Sequence, residues 1–240
     1  LNYDNALKLE NKRLSRLLIN YPGRHLLLLS NHVLSSLAAS PIPHKIRISE
    51  TPASTSDDTL DCAFLQSNYA DLPFASDSIN LIILPHTLER DKNAKHILSE
   101  AWRVLTPNGH LILLGINPTS LWGLYKLFSY KPPPWNGYFY TIPTICQWVQ
   151  HLGGQICHTE SFFFRPPLTS RSGTWLFDKL FWLEQISPWL FPYLGGIYLI
   201  IAQKHIRQLS RLSLAWQFPP VLTNKALASN VRGAHCAYTA

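Results

Sequence analysis

Methionine is absent from all 240 residues, and the chain opens on Leu1. The first helix is therefore expected to extend upstream of Leu1, and the N-terminal boundary stays open. Charge is scarce: only 15% of residues are Asp, Glu, Lys or Arg, while 46% are hydrophobic. A chain this apolar is not disordered throughout, because it has ample surface to bury in a core. Cysteine is sparse. Cys62, Cys146, Cys157 and Cys236 form no C-x-x-C pair and lack the His spacing of a zinc site, so reduced thiols and no metal are expected. No basic-then-apolar signal segment opens the chain, which predicts a cytoplasmic protein. A long clean hydrophobic run is missing as well. The longest stretch, Ile186 to Ala202, is broken by Pro188, Pro192, Gly195 and Gly196, short of the ~20 apolar residues that span a bilayer.

What is present alternates between two periods. Residues 4–20 predict an amphipathic helix, with Leu7, Leu14, Leu17 and Leu18 among Lys and Arg. His25–Leu29, Lys45–Ser49, Ala63–Leu65, Ile79–Leu84 and His110–Ile116 predict strands, the apolar ones of the kind buried on both faces. Helical patterns fill 33–39, 91–105 with Asp91 as N-cap, and 142–152. Thr106-Pro107-Asn108-Gly109 predicts a turn in which glycine takes the positive φ. Two long strands, 155–164 and 196–204, are expected to pair antiparallel at an edge. Strands alternating with helices imply α/β architecture with a mostly parallel sheet.

The domain reading is a body over 1–206 and a basic tail over 207–240. Residues 204–240 carry five basic side chains and no acid, out of a net charge of +7, so the body itself is nearly neutral. Nucleic-acid binding by the body is not expected. Residues 160–196 hold an aromatic-rich segment in which Leu176, Leu180 and Leu183, with Phe177 and Phe181, follow helical spacing. It reads as a core-packing helix, as a lid over an apolar substrate, or as a peripheral membrane contact.

Two stretches carry a family resemblance. Asp71-Leu72-Pro73-Phe74, followed by Asp77-Ser78-Ile79-Asn80-Leu81-Ile82, resembles the "D-L-P-F … S-F-D" passage of class I, type-11-like S-adenosylmethionine-dependent methyltransferases. Glu100-Ala101-Trp102-Arg103-Val104-Leu105-Thr106-Pro107-Asn108-Gly109 resembles that family's "E-x-x-R-V-L-k-P-G-G". Asn117-Pro118-Thr119-Ser120 and the strand Gly196–Lys204 are similar to those of a small bacterial methyltransferase-like subgroup with a degenerate glycine loop. The resemblance implies a Rossmann-like fold with a mostly parallel seven-stranded sheet, helices on both faces and an antiparallel last strand.

It also implies S-adenosylmethionine as cofactor and places its site. The family's G-x-G-x-G turn falls on Ser30, Asn31 and His32, with Leu34 beyond, and no glycine stands there. Left-handed backbone at such residues would cost ~1–2 kcal/mol and weaken cofactor affinity. Glu50, 20 residues after Ser30, matches the ribose-binding acid, and Asn68 with Tyr69 falls at the adenine contact. His86 ends the fourth strand, as a structural hydrogen-bonding histidine, as a cofactor contact, or as the general base if the acceptor needs one. Glu89 reads as a solvated helix-entry acid, and Asn117 as a substrate contact or a turn cap. Two functions stay open: methyl transfer to a small, apolar acceptor, and a catalytically inactive binding module on the same fold.

Overall fold

The structure is a computed structural model that describes residues 2–32, 34–52, 62–120, 137–163 and 195–205. The tail from 207 and most of the aromatic-rich segment lie outside the described residues. Strands β1 (His25–Leu29), β2 (His44–Ser49), β3 (Ala63–Gln66), β4 (Ile79–Pro85), β5 (Leu105–Ile116), β6 (Gly154–Phe162) and β7 (Ile197–Lys204) form one sheet in the order β3-β2-β1-β4-β5-β7-β6. The first five run parallel, and β7 enters antiparallel between β5 and β6. The sheet is therefore the mixed seven-stranded α/β sheet expected. The two final strands pair as anticipated, with β6 on the edge.

The leucine run of β1 shows why the sheet is layered on both faces. Side chains alternate along a strand. Leu27 and Leu29 join Ile97, Leu98, Ala101 and Trp102 of α2 (Ala94–Val104) and Ile145 and Val149 of α3 (Ile142–His151) on one side. Leu26 and Leu28 join Ala6, Leu14 and Leu18 of α1 (Asn2–Leu18) and Leu37 of a 3₁₀ turn (Ser35–Ala39) on the other. No helix among the described residues is long and apolar enough to cross a membrane.

Three local expectations shift. The turn at Thr106–Gly109 lies inside β5, which leaves α2 directly. It bulges where the register jumps from Ile79↔Leu105 to Leu81↔His110. Asn108, not Gly109, takes the left-handed backbone, at φ 60°. Gly109 is needed for space, since a Cβ would stand 2.8 Å from the Thr106 carbonyl oxygen. Asp91 does not cap α2. Its Oδ1 accepts from Asn93 N at 2.9 Å, closing a turn just before a helix that begins at Ala94. α3 does start as the sequence suggests, with the Thr141 hydroxyl accepting from Thr144 N and Pro143 in the first turn, and Gly153 (φ 82°) follows its end.

The two resembling motifs meet in space. Arg103 donates to Glu100, to the Phe74 carbonyl at 3.0 Å and to the Leu72 carbonyl at 3.2 Å. Helix α2 thus clamps the Leu72–Phe74 loop to the start of β4, and Arg103 holds the Glu100 carboxyl below its ordinary value. Asn80 does similar work from β4, accepting from Arg24 N at 2.9 Å and His25 N at 3.1 Å where β1 begins. Asn80→Ala leaves both donors short of a partner and is expected to cost ~1–2 kcal/mol in urea denaturation.

Candidate functional site

Parallel strands bring their carboxyl ends to one edge, where open α/β sheets bind ligands. Here that edge gathers residues 30–32 after β1, Glu50 after β2, residues 67–69 after β3, His86 after β4 and Asn117 after β5.

The glycine-free turn is built differently from the expectation. None of Ser30, Asn31 and His32 has positive φ, so these three residues carry no left-handed strain. Side chains close the turn instead. The Asn31 Oδ1 accepts from the Tyr69 hydroxyl at 2.6 Å and from the Ser49 hydroxyl at 3.2 Å. Its carbonyl accepts from the buried Arg47 at 3.3 Å, and the Ser30 hydroxyl accepts from His32 N at 3.1 Å. The His32 side chain is exposed. The Tyr69 hydroxyl is pushed up to about 12, mainly by burial and then by the nearby Glu50 charge, so it stays a donor to Asn31.

Next to this corner, Glu50 is exposed and lines an open groove of about 480 Å³ with Gln66, Ser67 and Asn68. The Gln66 amide donates to the Glu50 carbonyl at 3.3 Å, and Asn68 Oδ1 accepts from Ala70 N at 2.9 Å, shaping the groove wall. Ser30, Asn31, Glu50, Asn68 and Tyr69, separate in sequence, therefore share one corner across the ends of β1, β2 and β3.

His86 belongs to a second group that sequence reasoning largely missed. Its Nε2 lies 2.9 Å from Glu10 Oε1 on α1, and its Nδ1 lies 3.3 Å from Glu89. Both carboxylates are buried, at 7% and 5% side-chain exposure, so Glu89 is not the solvated acid expected. Glu89 also accepts from Ile116 N at the end of β5. Burial works against charging His86, yet Glu10 and Glu89 outweigh it and raise the imidazole well above its usual 6.5. Both ring nitrogens of His86 face a carboxylate, a setting that favours the imidazolium over a free base. It adopts φ 53°, uncommon for a non-glycine residue and concentrated at functional sites. The Thr87 hydroxyl donates to the Leu29 carbonyl at 2.6 Å, tying this segment to the end of β1.

A signal for Glu10 was present. It lies on the Ala6, Leu14 and Leu18 stripe at i+4 spacing, where an acid must be paired to be buried. Asn117 is a turn cap: its Oδ1 accepts from the Thr119 hydroxyl at 2.7 Å and from Thr119 N at 3.2 Å. The described residues contain no His, Cys, Asp and Glu group placed to hold a metal ion.

Comparison with known proteins bears on the fold that carries this edge. Residues 22–113 match the family described as "Methyltransferase domain". The uncharacterized protein YafS of Escherichia coli (strain K12) is 31% identical over 142 residues, covering 58% of this chain and 54% of that protein. The chain thus spans about half the length of this curated relative. Among solved structures, an S-adenosylmethionine-dependent methyltransferase from Archaeoglobus fulgidus aligns with a TM-score of 0.60 at 16% identity, over 82% of this chain and 94% of that one. A chain from the complex between the Haloferax volcanii Trm112 methyltransferase activator and a methyltransferase gives 0.61 at 14% identity, over 85% and 93%. At such identities the likeness is one of fold.

Proposed function

We propose that this chain, whose residues 22–113 match the methyltransferase-domain family, is a class I methyltransferase that transfers a methyl group from S-adenosylmethionine to a small-molecule acceptor. The observation that carries this reading is the exposed Glu50 carboxylate at the end of β2, opening on a groove beside the turn at residues 30–32. These residues suit the cofactor. Glu50 would accept from its ribose hydroxyls, Ser67 and Asn68 would border its adenine, and Ser30 to His32 would lie toward its methionine part. When bound, the cofactor supplies an electrophilic methyl group next to a sulfonium leaving group.

The protein's own contribution is chiefly alignment, which supports much of such a displacement when the acceptor is already nucleophilic. The paired state of His86 favours this kind of acceptor, because the imidazole holds its proton between Glu10 and Glu89. An apolar acceptor is the class that the aromatic composition of residues 160–196 supports. The rival reading as an inactive binding module gains no support from the site, where the side-chain bonds of Asn31 take over the closure that glycines would give.

Titration calorimetry with S-adenosylmethionine at millimolar concentration tests the reading. Heat and a thermal shift are expected, and Glu50→Ala should weaken binding by about 10–100-fold, the worth of hydrogen bonds to a charged acceptor. Neither heat nor thermal shift with the wild-type chain overturns it.

A further inference from the structure

Helix α1 crosses the sheet from its carboxyl edge to its amino edge. Near its end, Tyr21 packs against His110 at the start of the parallel part of β5, with ring centroids 4.7 Å apart. Eleven residues earlier, Glu10 meets His86 at the carboxyl end of β4. With a rise of ~1.5 Å per residue, the turns that precede Glu10 extend on the order of 12 Å further toward the ligand-binding edge. Leu14 and Leu18, 1% and 0% exposed, anchor the later turns in the core. Glu10, paired with His86, and Arg13, which meets Glu160 and lies 4.6 Å over the Phe162 ring of β6, are polar anchors of the helix toward this edge. The positive-φ backbone of His86 and the grip of Glu89 on Ile116 N set the imidazole to receive it.

We propose that Glu10 is a positioning residue of the carboxyl-edge crevice: paired with His86, it latches the first turns of α1 over the crevice, and loss of the His86 proton releases them. The described groups that face the imidazole are Glu10 from α1 and Glu89 from its own turn, and Tyr198 of β7 faces Glu89 from the other side. The direction of the pH effect follows. The folded imidazole ionises well above 6.5, so the latch is complete below that value and fades as pH rises through the raised folded value. The crevice's identity as a cofactor site rests on the reading above, but the latch itself can be measured without any ligand.

The experiment is amide hydrogen exchange on the full chain across a pH series, corrected for intrinsic exchange, beside an NMR titration of the His86 ring. Glu10→Gln and His86→Asn are compared with wild type, asparagine being a residue that tolerates the same backbone. The wild type should lose protection at residues 6–10 in step with the His86 titration. In both variants those amides should exchange at least about tenfold faster at neutral pH, without the pH step, while β4 and β5 keep their protection. Unchanged exchange in Glu10→Gln, a pH step that survives in either variant, or protection lost equally across β4 and β5 overturns the latch. Absence of cofactor binding in calorimetry would count against the proposed function and leave this result standing.

Discussion

Glu89→Ala is expected to remove ~3–5 kcal/mol of folding stability, the largest single effect of any substitution in the site. The carboxylate is 5% exposed and serves two partners: the half-buried His86 ring at 3.3 Å and the buried backbone N–H of Ile116. Removing it strands an imidazolium against the one remaining carboxylate of Glu10 and leaves a strand-end donor empty. Both penalties arise in a place water reaches poorly, so neither is refunded by solvation. Urea denaturation should show the midpoint falling at unchanged slope. Glu89→Gln keeps an acceptor for Ile116 N and should lose clearly less. Equal losses for the two variants would mean that charge, not the hydrogen bond to β5, is what matters.

Gly115→Ala should cost about 2–3 kcal/mol by overpacking. Gly115 lies on β5 opposite Tyr198 of β7, and a Cβ there would stand 2.3 Å from the Tyr198 hydroxyl oxygen and 2.4 Å from Cζ. Those atoms are the end of a stiff, buried ring whose ionisation burial pushes well above the ordinary tyrosine value. The ring cannot swing aside without disturbing the layer that holds Tyr140, Cys146 and Trp148. Tyr198→Leu shortens the side chain and should make the two substitutions strongly non-additive, with a coupling of about 1–2 kcal/mol in a double-mutant cycle. Additive losses would show that the strain at Gly115 comes from somewhere other than Tyr198.

Much of the corner formed by β1, β2 and β3 was legible from spacing. Glu50 could be singled out because the family resemblance expects an acid after the second strand, about 20 residues beyond the first turn, and the strand before it is marked by its alternation. The closure of the glycine-free turn was not legible. It depends on Tyr69, 38 residues from Asn31, and on Ser49, 18 residues away, meeting at one amide oxygen. Arg47 hid for the same reason. A cation inside an alternating strand reads as solvent-facing, yet it is buried, donates to the Asn31 carbonyl and stacks 4.9 Å over the Phe64 ring.

The role of His86 depended on contacts still more distant. Its position at the end of β4 followed from the chain order, but its protonation is set by Glu10, 76 residues away. A lone histidine in a sequence can be a base, a donor or a structural ion, because its pKa lies close enough to neutrality for neighbours to decide. Two buried carboxylates decide it here.

By itself, the sequence determined the layered α/β sheet and the edge at which its parallel strands end, because these follow from periodicity along the chain, while Glu50 was singled out by the family resemblance. The tertiary structure alone decided how a turn without glycine closes and which proton His86 keeps. Both are outcomes of long-range pairing in a buried setting, where the strength of a hydrogen bond or a charge depends on which distant partner reaches it and how little water does.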